Sequence, residues 1–157
     1  MVAGEKCQFI IKPQKSGVSP VKVFVKDENG NERFVATREF RVEKIPQPDI
    51  YIGGKTMRNG ILHLPKEFVR VMSRIYAQLP REVCIEMNFI IVRFDFSVIR
   101  EGQTIFEQNV DGNRFSQEIK EALRNLQEGD NVCIEQVVVK YPDDSPTVFE
   151  GLKIEVE

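Results

Sequence analysis

Apolar and polar side chains alternate through much of this chain. The clearest run is residues 82–99, EVCIEMNFIIVRFDFSVI, which predicts one long strand. Its phase changes part-way: Ile85, Met87, Phe89 and Ile91 share one face, whereas Val92, Phe94, Phe96 and Val98 share the other. A one-residue slip sends every later side chain to the opposite side of a sheet, so Ile91-Val92 predicts a bulge or a place covered on both faces. Glu86, Arg93 and Asp95 fall between apolar neighbours and read as the wetted side of this strand. Shorter β-prone runs cover residues 7–12, 21–26 and 33–43, with Asn29-Gly30 at the tip of a hairpin between the last two. Further strands are expected over 104–110, 131–141 and 147–156, the last two flanking the turn Pro142–Pro146.

Two stretches follow a helical period instead. Phe68, Met72, Ile75 and Leu79 recur at i, i+4, i+7 and i+11, predicting a helix over residues 65–79 with Pro65 in its first turn. Lys66, Arg70 and Arg74 make a basic row on roughly its far side, a candidate surface for an acidic partner as well as an ordinary solvated face. A second helix is expected over 117–127. Ser116 would cap it, Ile119, Leu123 and Leu126 would form its apolar stripe, and Gly129 would end it. Leu123 and Ile154 join Phe68, Met72, Phe94 and Phe96 as expected core positions.

Between strands and first helix lies KIPQPDI. Pro46 and Pro48 each remove a ladder donor and force the preceding residue into extended geometry, so the segment reads as a stiff linker. A boundary is expected there, between a partial all-β domain at 1–45 and a terminal β-rich domain at 46–157. The fold class is mainly β, of α+β type, with immunoglobulin-like, sandwich-type domains, the terminal one carrying two short helices.

Composition narrows function mostly by exclusion. The chain has 157 residues, and its 22 basic residues nearly balance 24 acidic ones, so it lacks the one-sign field that drives general nucleic-acid binding. Cys7, Cys84 and Cys133 are too widely spaced, with His63 the sole histidine, to form a recognisable zinc pattern; Cys84 and Cys133 are expected as small apolar side chains inside strands. The stretch DIYIGGKT ends like a phosphate-binding loop, but Asp49 stands where such a loop begins with glycine, and its carboxylate would repel the anion. Gly53-Gly54 is therefore expected as a tight turn after a short strand, followed near Arg58-Asn59-Gly60 by another turn. No cofactor, metal or catalytic set is expected, no run approaches a membrane span, and the opening residues lack a signal-peptide pattern, so any leader or anchor would lie upstream.

The order of these pieces resembles the C-terminal periplasmic region of the GldM/PorM family. The resemblance runs through Phe40-Arg41-Val42, Ile45-Pro46 and Pro48, then Gly53-Gly54-Lys55, then Gly112-Asn113-Arg114-Phe115, and covers nearly the whole chain. It departs over residues 57–80, where the family pattern is shorter and richer in glycine. The resemblance implies a non-enzymatic, periplasmic, homodimeric shaft that links an inner-membrane motor to outer-membrane protein partners of type IX secretion or gliding. Its interdomain joint would comprise Ile45, Pro46, Pro48, Gly53 and Gly54. The alternative is a β-sandwich binding module for glycan or peptide, although a chain with no Trp and three Tyr has few aromatic platforms for sugars.

Overall fold

The computed structural model describes residues 11–13, 15–56 and 61–157. It divides into two compact units, one ending at Pro46 and one beginning at Gln47. The structure is mainly β with two helices.

The first unit contains an antiparallel pair, β1 (Gly17–Lys26) and β2 (Glu32–Val42), with a register shift between Val23 and Phe24. The turn is built by Asp27, whose Oδ1 accepts from the backbone N–H of Asn29 and Asn31 at 3.0 and 2.9 Å. These bonds, with one from the Asn31 amide, hold the Asp27 carboxyl below its ordinary range. Asn29 and Gly30 sit at the tip, as the sequence predicts. The expected strand at 7–12 lies outside the described residues apart from Ile11 and Lys12, which are not in a strand.

The second unit opens with β3 (Asp49–Ile52) and β4 (Lys55–Thr56), joined by Gly53-Gly54. Both glycines have positive φ, 53° and 78°, which a two-residue hairpin turn requires and other residues resist. Next come β5 (Leu62–Leu64), α1 (Lys66–Arg70), β6 (Ile75–Gln78), β7 (Ile90–Arg100), β8 (Gln103–Asp111), α2 (Gln117–Arg124), β9 (Asn131–Lys140) and β10 (Pro146–Val156). Five strands form a sheet in the order β5-β10-β9-β7-β8, antiparallel except where β5 runs parallel to β10; β4-β3-β6 form a second, antiparallel sheet.

One core fills this unit. Phe94, Phe96 and Phe115 meet edge to face or tilted at 5.4–6.0 Å between centroids, surrounded by Ile52, Ile75, Ile119, Leu123, Ile134 and Ile154. All of these are buried, as is Met72, while Phe68 is half-buried against the same cluster. Gly151 allows β10 to approach β9: its φ is +105°, and a Cβ there would overlap the Ile134 carbonyl oxygen.

Two predicted elements are corrected. The helix over 65–79 is one short turn, because the chain leaves helical geometry after Arg70 and Ile75–Gln78 pairs with β3. Isoleucine and tyrosine suit a strand, and Tyr51 stacks on Tyr76 at 5.3 Å and 9°. The apolar stripe survives this change of element because Met72, Ile75 and Leu79 all still face the core. The strand over 82–99 starts only at Ile90; residues 83–89 pair with no strand, and Cys84, Ile85 and Glu86 are exposed. Cys84 is therefore not the buried strand residue expected, whereas Cys133, in β9, is buried. The phase change is real: β7 shifts register against β9 between Ile91 and Arg93 and again before Asp95. Val92 and Arg93 both point outward there, between buried Ile91 and Phe94.

Candidate functional site

The polar chemistry of the second unit concentrates around α2. Ser116 caps the helix as expected, its Oγ accepting from the Ile119 N–H at 3.2 Å and donating to Gln108 Oε1 at 2.8 Å. At the other end, Arg100 Nη2 donates to the Asn125 carbonyl at 3.1 Å and Arg70 Nη2 reaches the Leu126 carbonyl at 3.5 Å. Two cations thus face carbonyls that the helix leaves without intrahelical donors, where its dipole favours positive charge.

Asp130, just after this end, is 1% exposed and the sole fully buried charged residue among the described residues. Arg100 grips it with two bonds of 2.8 Å, Nε to Oδ1 and Nη2 to Oδ2, and the Gln127 N–H adds a third at 2.7 Å. The guanidinium contact holds the Asp130 carboxyl below its ordinary range although burial pushes the other way. Backbone bonds from Gly129 to Val156 and from Val156 to Asp130 tie the same turn to β10. This cluster is a structural clasp, since these bonds tie the end of β7 to the end of α2 and the turn before β9. Sequence reasoning missed it because Arg100, the last residue of β7, and Asp130, in the loop after α2, are far apart in the chain and neither stands in a recognisable motif.

The basic row expected at Lys66, Arg70 and Arg74 is not presented by one helix. Lys66 and Arg70 lie in α1, and Arg70 is half-buried with its Nε unpartnered. Arg74 lies beyond the helix and forms an isolated antiparallel bridge with Arg114. Flanking bonds join the Ile75 N–H to the Asn113 carbonyl at 3.0 Å and the Phe115 N–H to the Ser73 carbonyl at 2.9 Å. Of the expected joint residues, Ile45 and Pro46 are half-buried and Pro48 is buried. Gly53 and Gly54 make the β3–β4 turn inside the second unit, and Lys55 opens a strand where a P-loop would open a helix. The turn expected at Arg58-Asn59-Gly60 lies outside the described residues.

A concavity of about 700 Å³ lies along the irregular segment after β6 and is lined by residues including Tyr76, Leu79, Val83, Ile85 and Met87. Among the described residues, no three His, Cys, Asp or Glu side chains are grouped to hold a metal ion. His63 Nδ1, on the edge strand β5, stands 3.8 Å from carboxylate oxygens of both Glu155 and Glu157. No helix among the described residues is long and apolar enough to cross a membrane.

With this geometry in view, a family model described as the GldM C-terminal domain matches residues 46–157, which take in the whole second unit. No curated protein matches the chain.

Proposed function

Because this chain belongs to the GldM C-terminal domain family, we propose that it is a periplasmic, non-enzymatic coupling element of a type IX secretion or gliding machine. In this reading residues 46–157 form the terminal domain and residues up to 45 are part of an immunoglobulin-like domain before it. Ile45, Pro46 and Pro48 would set the angle between them, since prolines narrow the conformations of the chain they occupy. The protein would act as a homodimer that carries force from an inner-membrane motor to outer-membrane protein partners. The observation that carries the proposal is the family match across the whole second unit, and the mainly β architecture with ample strand surface for contacts accords with it.

The test is deletion of codons 46–157 in the bacterium that carries the gene. Loss of both cargo secretion and surface spreading, with the rest of the protein still present at normal level, is the expected result; full retention of both would refute the reading. Sedimentation of the whole chain against residues 49–157 tests the dimer. The whole chain is expected to self-associate more strongly, and equal behaviour would remove the N-terminal strands as its contact.

A further inference from the structure

The bridge between Arg74 and Arg114 is an unusual use of two cations. Its hydrogen bonds run from Ile75 to Asn113 and from Phe115 to Ser73, so the two arginines form the non-hydrogen-bonded kind of antiparallel pair. In that kind the Cα atoms approach to about 4.5 Å and the side chains lie closest together. Like charges placed directly across a ladder repel each other. An acid opposite such a residue would be favourable, yet among the described residues no carboxylate is paired with Arg74 or Arg114. Lys120, closing the first turn of α2, lines the same concavity of about 290 Å³ together with Ser73 and Phe115, and among the described residues it too has no acidic partner. Three cations therefore converge on one notch in a chain whose formal net charge is −2.

We propose that this notch binds a carboxylate of an acidic segment from a protein partner, an inference that rests on the partner-coupling reading above. The guanidinium groups are planar forks that can each hold a carboxylate through two parallel N–H donors, and the Lys120 ammonium adds a mobile third contact. The fold supplies the rigidity: the bridge fixes both arginine backbones, and the buried Phe115 anchors the strand-like segment that carries Arg114. Charge complementarity selects the occupant, because the notch offers donors and positive charge and its exposed surface is more polar than apolar.

The test is two-dimensional NMR of the whole chain titrated with a penta-glutamate peptide and, separately, with inorganic phosphate. The peptide is expected to shift the amide signals of residues 73–75, 113–116 and 120 saturably, and Arg74→Gln with Arg114→Gln to weaken binding by about tenfold or more. Lys22→Gln, on the N-terminal hairpin, should leave binding unchanged. Without peptide, the double variant should melt no lower than the parent, since the pair repels; a purely structural role predicts a lower melting temperature. Shifts scattered over all basic residues, insensitivity to the double variant, or saturable binding of phosphate without the peptide would each overturn the proposal. Failure here leaves the coupling reading standing if deletion of 46–157 still abolishes secretion and spreading; if deletion is silent, that reading falls by itself.

Discussion

The hairpin of β1 and β2 and the sheet around β7 are written in the same alternating code, yet they end in opposite conditions. In the hairpin, Val23, Phe24, Val25, Phe34 and Phe40 remain about half exposed. In the sheet, Phe94, Phe96 and Val98 are at most 1% exposed. The difference lies in what each strand is given to pack on. β7 is flanked on both edges by β8 and β9 and has helices and a second sheet unit's worth of apolar residues against one face. β1 and β2 form a two-stranded sheet, each pairing only with the other among the described strands. Alternation thus predicts that a segment will be a strand but says little about whether it will be dry, and a two-stranded ribbon is marginal in water without cover.

The largest expected effect attacks the well-packed side. Gly151→Ala drives a methyl group into the Ile134 carbonyl at a φ that other residues rarely adopt, so it should cost about 4 kcal/mol or more and leave little folded protein. Denaturant titration would measure it, and a variant of parental stability would mean that β9 and β10 can separate locally. A paired substitution then sharpens the contrast. Phe94→Ala should cost about 3–5 kcal/mol as an emptied core site, whereas Phe24→Ala should change the main unfolding transition by less than about 0.5 kcal/mol. Comparable losses would show that the hairpin is buried in solution by a partner surface.

A further effect on the well-packed side is set by pH. The Asp130 carboxyl is held low in the folded protein, so it contributes stability at neutral pH that is lost as pH falls through its folded value, below the ordinary 3.8. Asp130→Asn keeps the shape but leaves Arg100 facing a neutral amide; it should cost about 2–3 kcal/mol at pH 7 and flatten the acid limb of the stability curve. An unchanged acid limb would assign the pH dependence to other carboxylates.

Much of this architecture was legible from local pattern. The Asn29-Gly30 and Gly53-Gly54 turns, the Ser116 cap and the bulge after Ile91 each follow from constraints acting over a few residues. What failed was any choice that depended on a distant partner. Residues 75–78 carry an apolar stripe compatible with helix or strand, and the pairing with Asp49–Ile52 decided between them. Residues 83–89 have full strand alternation but no neighbour to complete a ladder. The candidate notch was hidden for the same reason. Arg74 was visible as one of three helical cations, but its approach to Arg114 exists only because two segments distant in sequence meet in an antiparallel bridge.

The position of β10 has a consequence for how this unit acquires its structure. The strand lies between β9 and β5, and its pairing of Ile154 with Leu62 closes a loop spanning most of the unit. Contacts so remote in sequence carry a large closure entropy and tend to slow folding. During synthesis the β5 edge and one side of β9 must therefore wait, unpaired, until β10 emerges. Glu157 then locks the arrangement by donating to the Leu64 carbonyl and accepting from the Lys66 N–H. A nascent chain stalled before Pro146 would expose two bare strand edges to any chaperone, protease or neighbouring copy within reach.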